Sequence, residues 1–223
     1  MNLGLVVTSN GRGALLDATL DAIWLHVRPL PELTLICDDS GDDAHADWMR
    51  ERWPAARTDA HRHLGHGPAV ARAWKMASQL PVEWLLWMEE DMVLQRPLDL
   101  RQLVAVMDAE PNVAQMALRR NAHFPAEVAA GPTQIERFSP EAFTERGTNG
   151  QAWLQHREFY SLNPHLVRRD FLARHSWPPV PNSEHRFGLR LFRDGAVTCG
   201  LWGPRDAEPQ VLHIGTERTG TGY

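Results

Sequence analysis

The segment WLLWMEEDMVL, residues 84–94, sets five mostly apolar residues directly before Glu89, Glu90 and Asp91, then resumes an apolar course at Met92 and Val93. Its first half reads as a strand buried on both faces, because it is short, bulky and continuously apolar. Three adjacent carboxylates repel one another, so stability alone does not account for them at the end of such a strand. Their neighbours along the chain show what kind of strand this is.

Upstream, LGLVVTS (3–9) is a β-rich run, followed by a helical pattern from Arg12 to Val27 with Leu15, Leu16, Leu20, Ile23, Trp24 and Val27 on one face. LTLICDD (33–39) is a second strand, a weak helix holds Trp48 and Met49, and GPAVARAWKMASQL (67–80) is a helix with Pro68 in its first turn. Downstream come a helix near 99–109 and a strand NVAQMAL (112–118). Strand–helix alternation with continuously apolar strands predicts an α/β fold built on a mostly parallel sheet flanked by helices.

Residues 119–150 are rich in Gly, Pro, Ala and charge without clear period, and read as an excursion over the sheet edge. REFYSLNP (157–164), a helix near 168–175, the turn WPPVPN (177–182), a helix SEHRFGLRLFRDG (183–195) closed by Gly195 and a strand AVTCGLW (196–202) follow. The chain ends in a polar, Gly/Thr-rich tail. A single domain over 1–223 with an elaborated C-terminal third is expected.

Composition narrows the function. The 223 residues carry a formal charge of −5, which disfavours a protein whose main task is gripping a nucleic-acid backbone. Cys37 and Cys199 both sit in apolar runs, which predicts buried free thiols. With no signal-peptide pattern and no apolar run of about 18 residues, a cytoplasmic protein without a membrane span is expected.

Ligands of open parallel sheets bind beyond the carboxyl ends of the strands. Three such ends carry polar side chains: Thr8, Ser9, Asn10 and Arg12 after the first strand, Asp38 and Asp39 after the second, and Glu89, Glu90 and Asp91 at the end of the WLLWM strand. Any one set alone fits a turn or helix cap. Together they suit a nucleotide whose diphosphate is held through a hard divalent cation, which takes carboxylate oxygens as ligands and relieves their repulsion.

In the order and spacing of VVTSNGR, ICDDSGDD, LGHGPAVARAWKMA, LLWMEEDMVL, SEHRFGLRLFRDGA and VLHIGTERTGTGY, the chain resembles the GT-A-fold glycosyltransferases of the family-2 type over nearly its whole length except 119–156. The resemblance implies a metal-dependent transfer of a sugar from a nucleotide-diphosphate donor, UDP-linked by preference, to an acceptor hydroxyl. Thr8, Asn10 and Arg12 would face the nucleotide, and Asp38 or Asp39 its base or ribose. Adjacent residues of a strand point to opposite faces, so one acid makes the key contact, with Asp39 favoured. Gly65 and Gly67 would let the nucleotide approach the backbone, while Arg72 either joins them or pairs on its helix surface.

Glu89, Glu90 and Asp91 match the Asp-x-Asp-type metal motif, with Glu89 in its first acidic position, long enough to reach a ribose or a water instead. Asp91 and His213 would bind Mn²⁺ or Mg²⁺, the nitrogen ligand favouring Mn²⁺. Arg218 would neutralise the diphosphate under a closing tail. Glu184 matches the general base of inverting members, although His185 stands where Asp is usual. Trp153, Tyr160 and Trp177 are candidates for an acceptor platform or for core. The acceptor is unspecified: a protein, a glycan or a modified DNA base in the host cytoplasm of a phage-encoded enzyme all fit. Two alternatives remain: a sugar nucleotidyltransferase, though TSNGRG lacks the usual basic Gly-rich loop, and a noncatalytic nucleotide-sugar-binding module.

Overall fold

The computed structural model describes residues 1–121, 139–193 and 195–215. The elements in chain order are β1 (Leu3–Ser9), α1 (Gly13–His26), β2 (Val27–Arg28), β3 (Leu33–Asp38), α2 (Asp43–Arg52), β4 (Arg57–Ala60), α3 (His66–Ala77), β5 (Trp84–Glu89), β6 (Met92–Leu94), β7 (Leu98–Asp99), α4 (Leu100–Ala109) and β8 (Val113–Ala117). They continue with β9 (Thr144–Thr148), β10 (Gln151–His156), β11 (His165–Arg168), α5 (Arg169–Arg174), α6 (Ser183–Leu191), β12 (Thr198–Trp202) and β13 (Val211–His213).

Nine strands form one sheet in the order β4-β3-β1-β5-β11-β8-β12-β10-β9. β4, β3, β1 and β5 are parallel, as are β8 and β12. β11 runs against both β5 and β8, and β10 against both β12 and β9. All the other strands of the sheet run the same way, so it is mostly parallel, as the sequence pattern predicts.

The apolar runs bury both faces. Alternate residues of β1 and β5 divide between two cores: Leu5, Val7, Leu86 and Met88 meet α1 and α4 on one side, with Leu16, Leu20, Ile23, Leu103 and Met107. Val6, Leu85 and Trp87 meet α3, α5 and α6 on the other, through Trp74, Phe171, Phe187 and Leu191. Helix starts are fixed locally. The Asp42 carboxylate accepts from Ala44 N at 2.9 Å to open α2, and Asp99 accepts from Arg101 N at 3.0 Å to open α4.

The two cores decide one open alternative. Tyr160 and Trp177 are 1% and 4% exposed and pack with Phe187 and Trp74, and Trp153 is fully buried. These rings are core rather than an acceptor platform, because their area is worth most away from water. The expected excursion at 119–150 contains regular pairing at both ends. Residues 119–121 pair with 210–213, and β9 and β10 form a hairpin across Asn149 and Gly150, both at positive φ. Residues 122–138 lie outside the described part. Cys37 and Cys199 are buried free thiols.

Candidate active site

The sheet register brings the three polar strand ends into line. Ser9 lies opposite Asp38, and Thr8 opposite Glu89. The ladder continues past the strands, with Asp39 N donating to Ser9 O and Glu90 N to Thr8 O, both at 2.9 Å. All the strand-end acids therefore start from one rigid edge, and their side chains diverge from there.

Glu90 turns inward. It is 1% exposed and accepts from Ser9 Oγ at 2.6 Å, Arg12 Nε at 2.6 Å and Arg12 N at 3.3 Å. Its own backbone carbonyl accepts from buried Thr19 Oγ1 at 2.7 Å. This bracket fixes the turn after β1 and aims the guanidinium of Arg12, whose Nη2 reaches Asp91 Oδ2 at 2.8 Å. Burial alone would lower the Arg12 pKa, but the charges of Glu90 and Asp91 outweigh it and raise it.

Asp38 and Asp39 are also turned into the protein. Asp38 accepts from Gly11 N at 3.1 Å and from the Ser40 hydroxyl. Asp39, the acid favoured for the base or ribose, spans Leu64 N at 2.7 Å and Gly65 N at 2.9 Å with its two oxygens, and His63 Nδ1 lies 3.2 Å from it. It thereby pins the loop that opens α3. The two glycines of that loop differ. Gly65 has φ +84° with open space where a Cβ would stand, whereas a Cβ on Gly67 would lie 2.5 Å from Val180 O. The missing side chain of Gly67 therefore admits the 176–182 turn. Arg72 forks onto Asp59 at 2.6 and 2.7 Å, the surface pairing of its two alternatives.

At this edge Asp91 pairs with His213, and Glu89 feels the charges of Asp91 and Glu184. β13 pairs with β6 so that His213 lies opposite Met92, and His213 Nε2 stands 3.2 Å from Asp91 Oδ2. Burial pushes the Asp91 carboxyl up, yet the His213 hydrogen bond and the Arg12 charge prevail and hold it below the usual range. Gly215 closes on the same point: a Cβ there would stand 2.2 Å from Asp91 Oδ2. Glu89 behaves oppositely. Burial, then the charges of Asp91 and Glu184, push its carboxyl up to about 8. Glu184 occupies the first turn of α6 and accepts from Leu162 N at 2.6 Å. Burial raises its pKa against the opposing pull of Leu162 N–H, Ser161 and Arg120.

The edge thus holds an ionised carboxylate with an imidazole on one side, a carboxyl of raised basicity on the other, and Glu89 electrostatically joined to both. Among the described residues no three or more His, Cys, Asp or Glu side chains gather as a ready metal cage. The Asp91–His213 pair has the donor chemistry for a divalent cation that draws its remaining ligands from a diphosphate. Thr8 and Asn10 are half-buried in the turn after β1, and His185 is exposed beside Glu184. Arg218 and the tail from 216 lie outside the described residues.

Sequence reasoning missed Arg120, Ser161 and Leu162. The last two sit in a turn before β11 whose position beside α6 only the fold reveals. Arg120 had a signal, as a second arginine directly after the β8 run.

No known family profile matches the chain, and no curated protein matches it. Solved structures do. The chain is similar to S. aureus TarS residues 1–349 in complex with UDP-GlcNAc, with TM-score 0.63, 16% identity, and coverage of 100% of this chain and 60% of that one. It is similar to the mannosyltransferase PcManGT from Pyrobaculum calidifontis in complex with GDP-Man and Mn²⁺, with TM-score 0.57, 14% identity, and coverage of 97% and 58%. The chain therefore spans about 60% of the length of the structures it matches. The shared fold is of the GT-A type. Among the described residues no helix is long and apolar enough to cross a membrane.

Proposed function

We propose that this chain is a metal-dependent, inverting glycosyltransferase that uses a nucleotide-diphosphate sugar, UDP-linked by preference. The observation that carries the reading is the pairing of Asp91 with His213, with Glu89 at the carboxyl end of β5 feeling the charges of both Asp91 and Glu184. TarS with UDP-GlcNAc and PcManGT with GDP-Man and Mn²⁺, which share the fold, support the donor class.

In this reading Thr8, Asn10 and the α3-opening loop at Gly65 face the nucleotide, while Asp38, Asp39 and Glu90 shape its walls from behind. Residues 1–118 form the donor half and 119–223 the acceptor half of a single domain. Asp91 and His213 would hold Mn²⁺ or Mg²⁺, which would neutralise charge building on the departing diphosphate. Arg12, locked by Glu90, adds a fixed positive charge beside them, and Arg218 is assigned the same duty from the tail.

Glu184 takes the proton from the acceptor hydroxyl as that oxygen attacks the anomeric carbon. The bond to the diphosphate oxygen breaks with its electron pair leaving on the diphosphate, and the configuration inverts. A base must be ionised to act, so a raised Glu184 pKa places the acid limb of activity above the ordinary glutamate range.

The test is calorimetry and thermal shift with UDP, GDP, UDP-GlcNAc and GDP-mannose, with and without Mn²⁺, on the wild type, Asp91→Ala and Glu184→Gln. Ligand at a hundred times its Kd stabilises by about 2.7 kcal/mol. A Mn²⁺-dependent shift with one nucleotide series, lost in Asp91→Ala and kept in Glu184→Gln, is expected. No shift with any nucleotide would refute the reading. Donor binding with no turnover, hydrolysis included, would favour the noncatalytic module.

A further inference from the structure

Arg120 follows β8 at the border between the metal side and the base side of the site. Its backbone bridges Val211 in β13. Nε donates to Asn163 Oδ1 at 3.2 Å, and Nη1 to Asn121 O at 2.9 Å. Each contact leads to one half of the site. Asn163 belongs to the turn before β11, in which Asn163 N donates to Ser161 Oγ at 3.0 Å and Leu162 N donates to Glu184 Oε1 at 2.6 Å. That turn is anchored from below by Gln115, which accepts from Ser161 N and donates to Ser161 O, both at 2.8 Å. On the other side, Asn121 Oδ1 accepts from His213 N at 2.8 Å, and Asn121 N donates to Val211 O at 3.0 Å.

We propose that Arg120 is a positioning residue joining the two halves of the site: one edge of its guanidinium holds the turn that fixes Glu184, and the other holds the segment that presents His213. The inference rests on the reading of Glu184 as base, and gives that base its orientation and its charge state.

The electrostatics agree with the geometry. The groups acting on Glu184 are Leu162 N–H and Ser161 from the turn before β11 and Arg120 from the end of β8; Glu89, at the end of β5, feels the Glu184 charge in turn. Among the side chains in that set, Arg120 is the cation. It favours the carboxylate that burial disfavours. A lysine would restore the charge but not the planar fork that serves Asn163 and Asn121 at once.

The test needs no acceptor. The Leu162 amide donates to Glu184, so its ¹⁵N–¹H shift follows the carboxyl through a pH titration of the metal-free protein, with Glu184→Gln as the control that abolishes the inflection. Arg120→Gln is expected to move the midpoint up by about one pH unit. Arg120→Lys is expected to stay near the wild-type midpoint while exchanging the Leu162 amide at least about threefold faster. Asn163→Ala, which keeps the charge and removes one tether, should reproduce the faster exchange. An unmoved midpoint in folded Arg120→Gln, or wild-type exchange in both Arg120→Lys and Asn163→Ala, would overturn the proposal. Turnover retained in Glu184→Gln would instead overturn the base reading, a separate result from the titration.

Discussion

Replacing Glu90 with glutamine tests whether the middle acid of the motif serves the fold or a ligand. Glu90 is 1% exposed and its carboxylate holds Ser9 Oγ and Arg12 Nε at 2.6 Å and Arg12 N at 3.3 Å. Glutamine is nearly isosteric but has one acceptor oxygen. Its NH₂ group must face either the guanidinium or the Ser9 hydroxyl together with Arg12 N. A hydrogen bond to a charged group is worth about 1.5–3 kcal/mol, and breaking a buried pair costs about 3–5 kcal/mol. Arg12 keeps its bond to Asp91, so the loss falls below that ceiling, at about 2–3 kcal/mol. For a chain of this size that is roughly 5–10 °C in Tm. The assay is urea and thermal unfolding at pH 7 without nucleotide or metal, beside Asn10→Ala as a half-buried control. Stability within about 0.5 kcal/mol of wild type, with nucleotide affinity lost, would refute the bracket and return Glu90 to the ligand.

Other outcomes follow from the same geometry. Gly215→Ala puts a Cβ 2.2 Å from Asp91 Oδ2 and 2.9 Å from Arg12 Nη1, so Mn²⁺-dependent nucleotide binding should fall at least about tenfold by calorimetry, at a stability cost of about 1–3 kcal/mol. Asp39→Asn can satisfy only one of Leu64 N and Gly65 N well, and should lower stability by about 1–3 kcal/mol while speeding amide exchange across 62–66. The folded Glu89 carboxyl titrates at about 8 against 4.5 ordinarily, so the folded state holds its proton longer and stability falls as pH rises through that window. Glu89→Gln should therefore gain on the metal-free wild type between those values and stay level above them, by about 1–2 kcal/mol after solvent screening. Trp74→Ala, in the centre of the second core, should cost about 3–5 kcal/mol by denaturant unfolding.

The parallel half of the sheet was legible because strands buried on both faces write long apolar runs, and β1, β3 and β5 do so. The short apolar β8 and β12 were legible too, but β11 was not. β11 is the four residues His165–Arg168, too brief to show a period, and its reversed place between β5 and β8 is a tertiary choice. The β9–β10 hairpin did carry a sign, the Asn149–Gly150 pair, masked by the polar residues around it. In the site, sequence picked the acids by position but could not tell which face each one takes. Asp39 and Glu90 point to backbone and guanidinium partners that only the folded loops bring within reach. The pairing of His213 with Asp91 depends on β13 docking beside β6, over a hundred residues earlier, and no local pattern encodes that.

The location of β11 has a consequence for how such a protein can be divided. β8 belongs to the first 118 residues, yet its partners in the sheet are β11 and β12, both from the second part. A fragment ending at residue 118 would carry β8 with both hydrogen-bonding edges bare, and β5 with one. The two parts are therefore not independent units that a cut at that border would separate cleanly. Interleaved strands make the two parts fold as one unit.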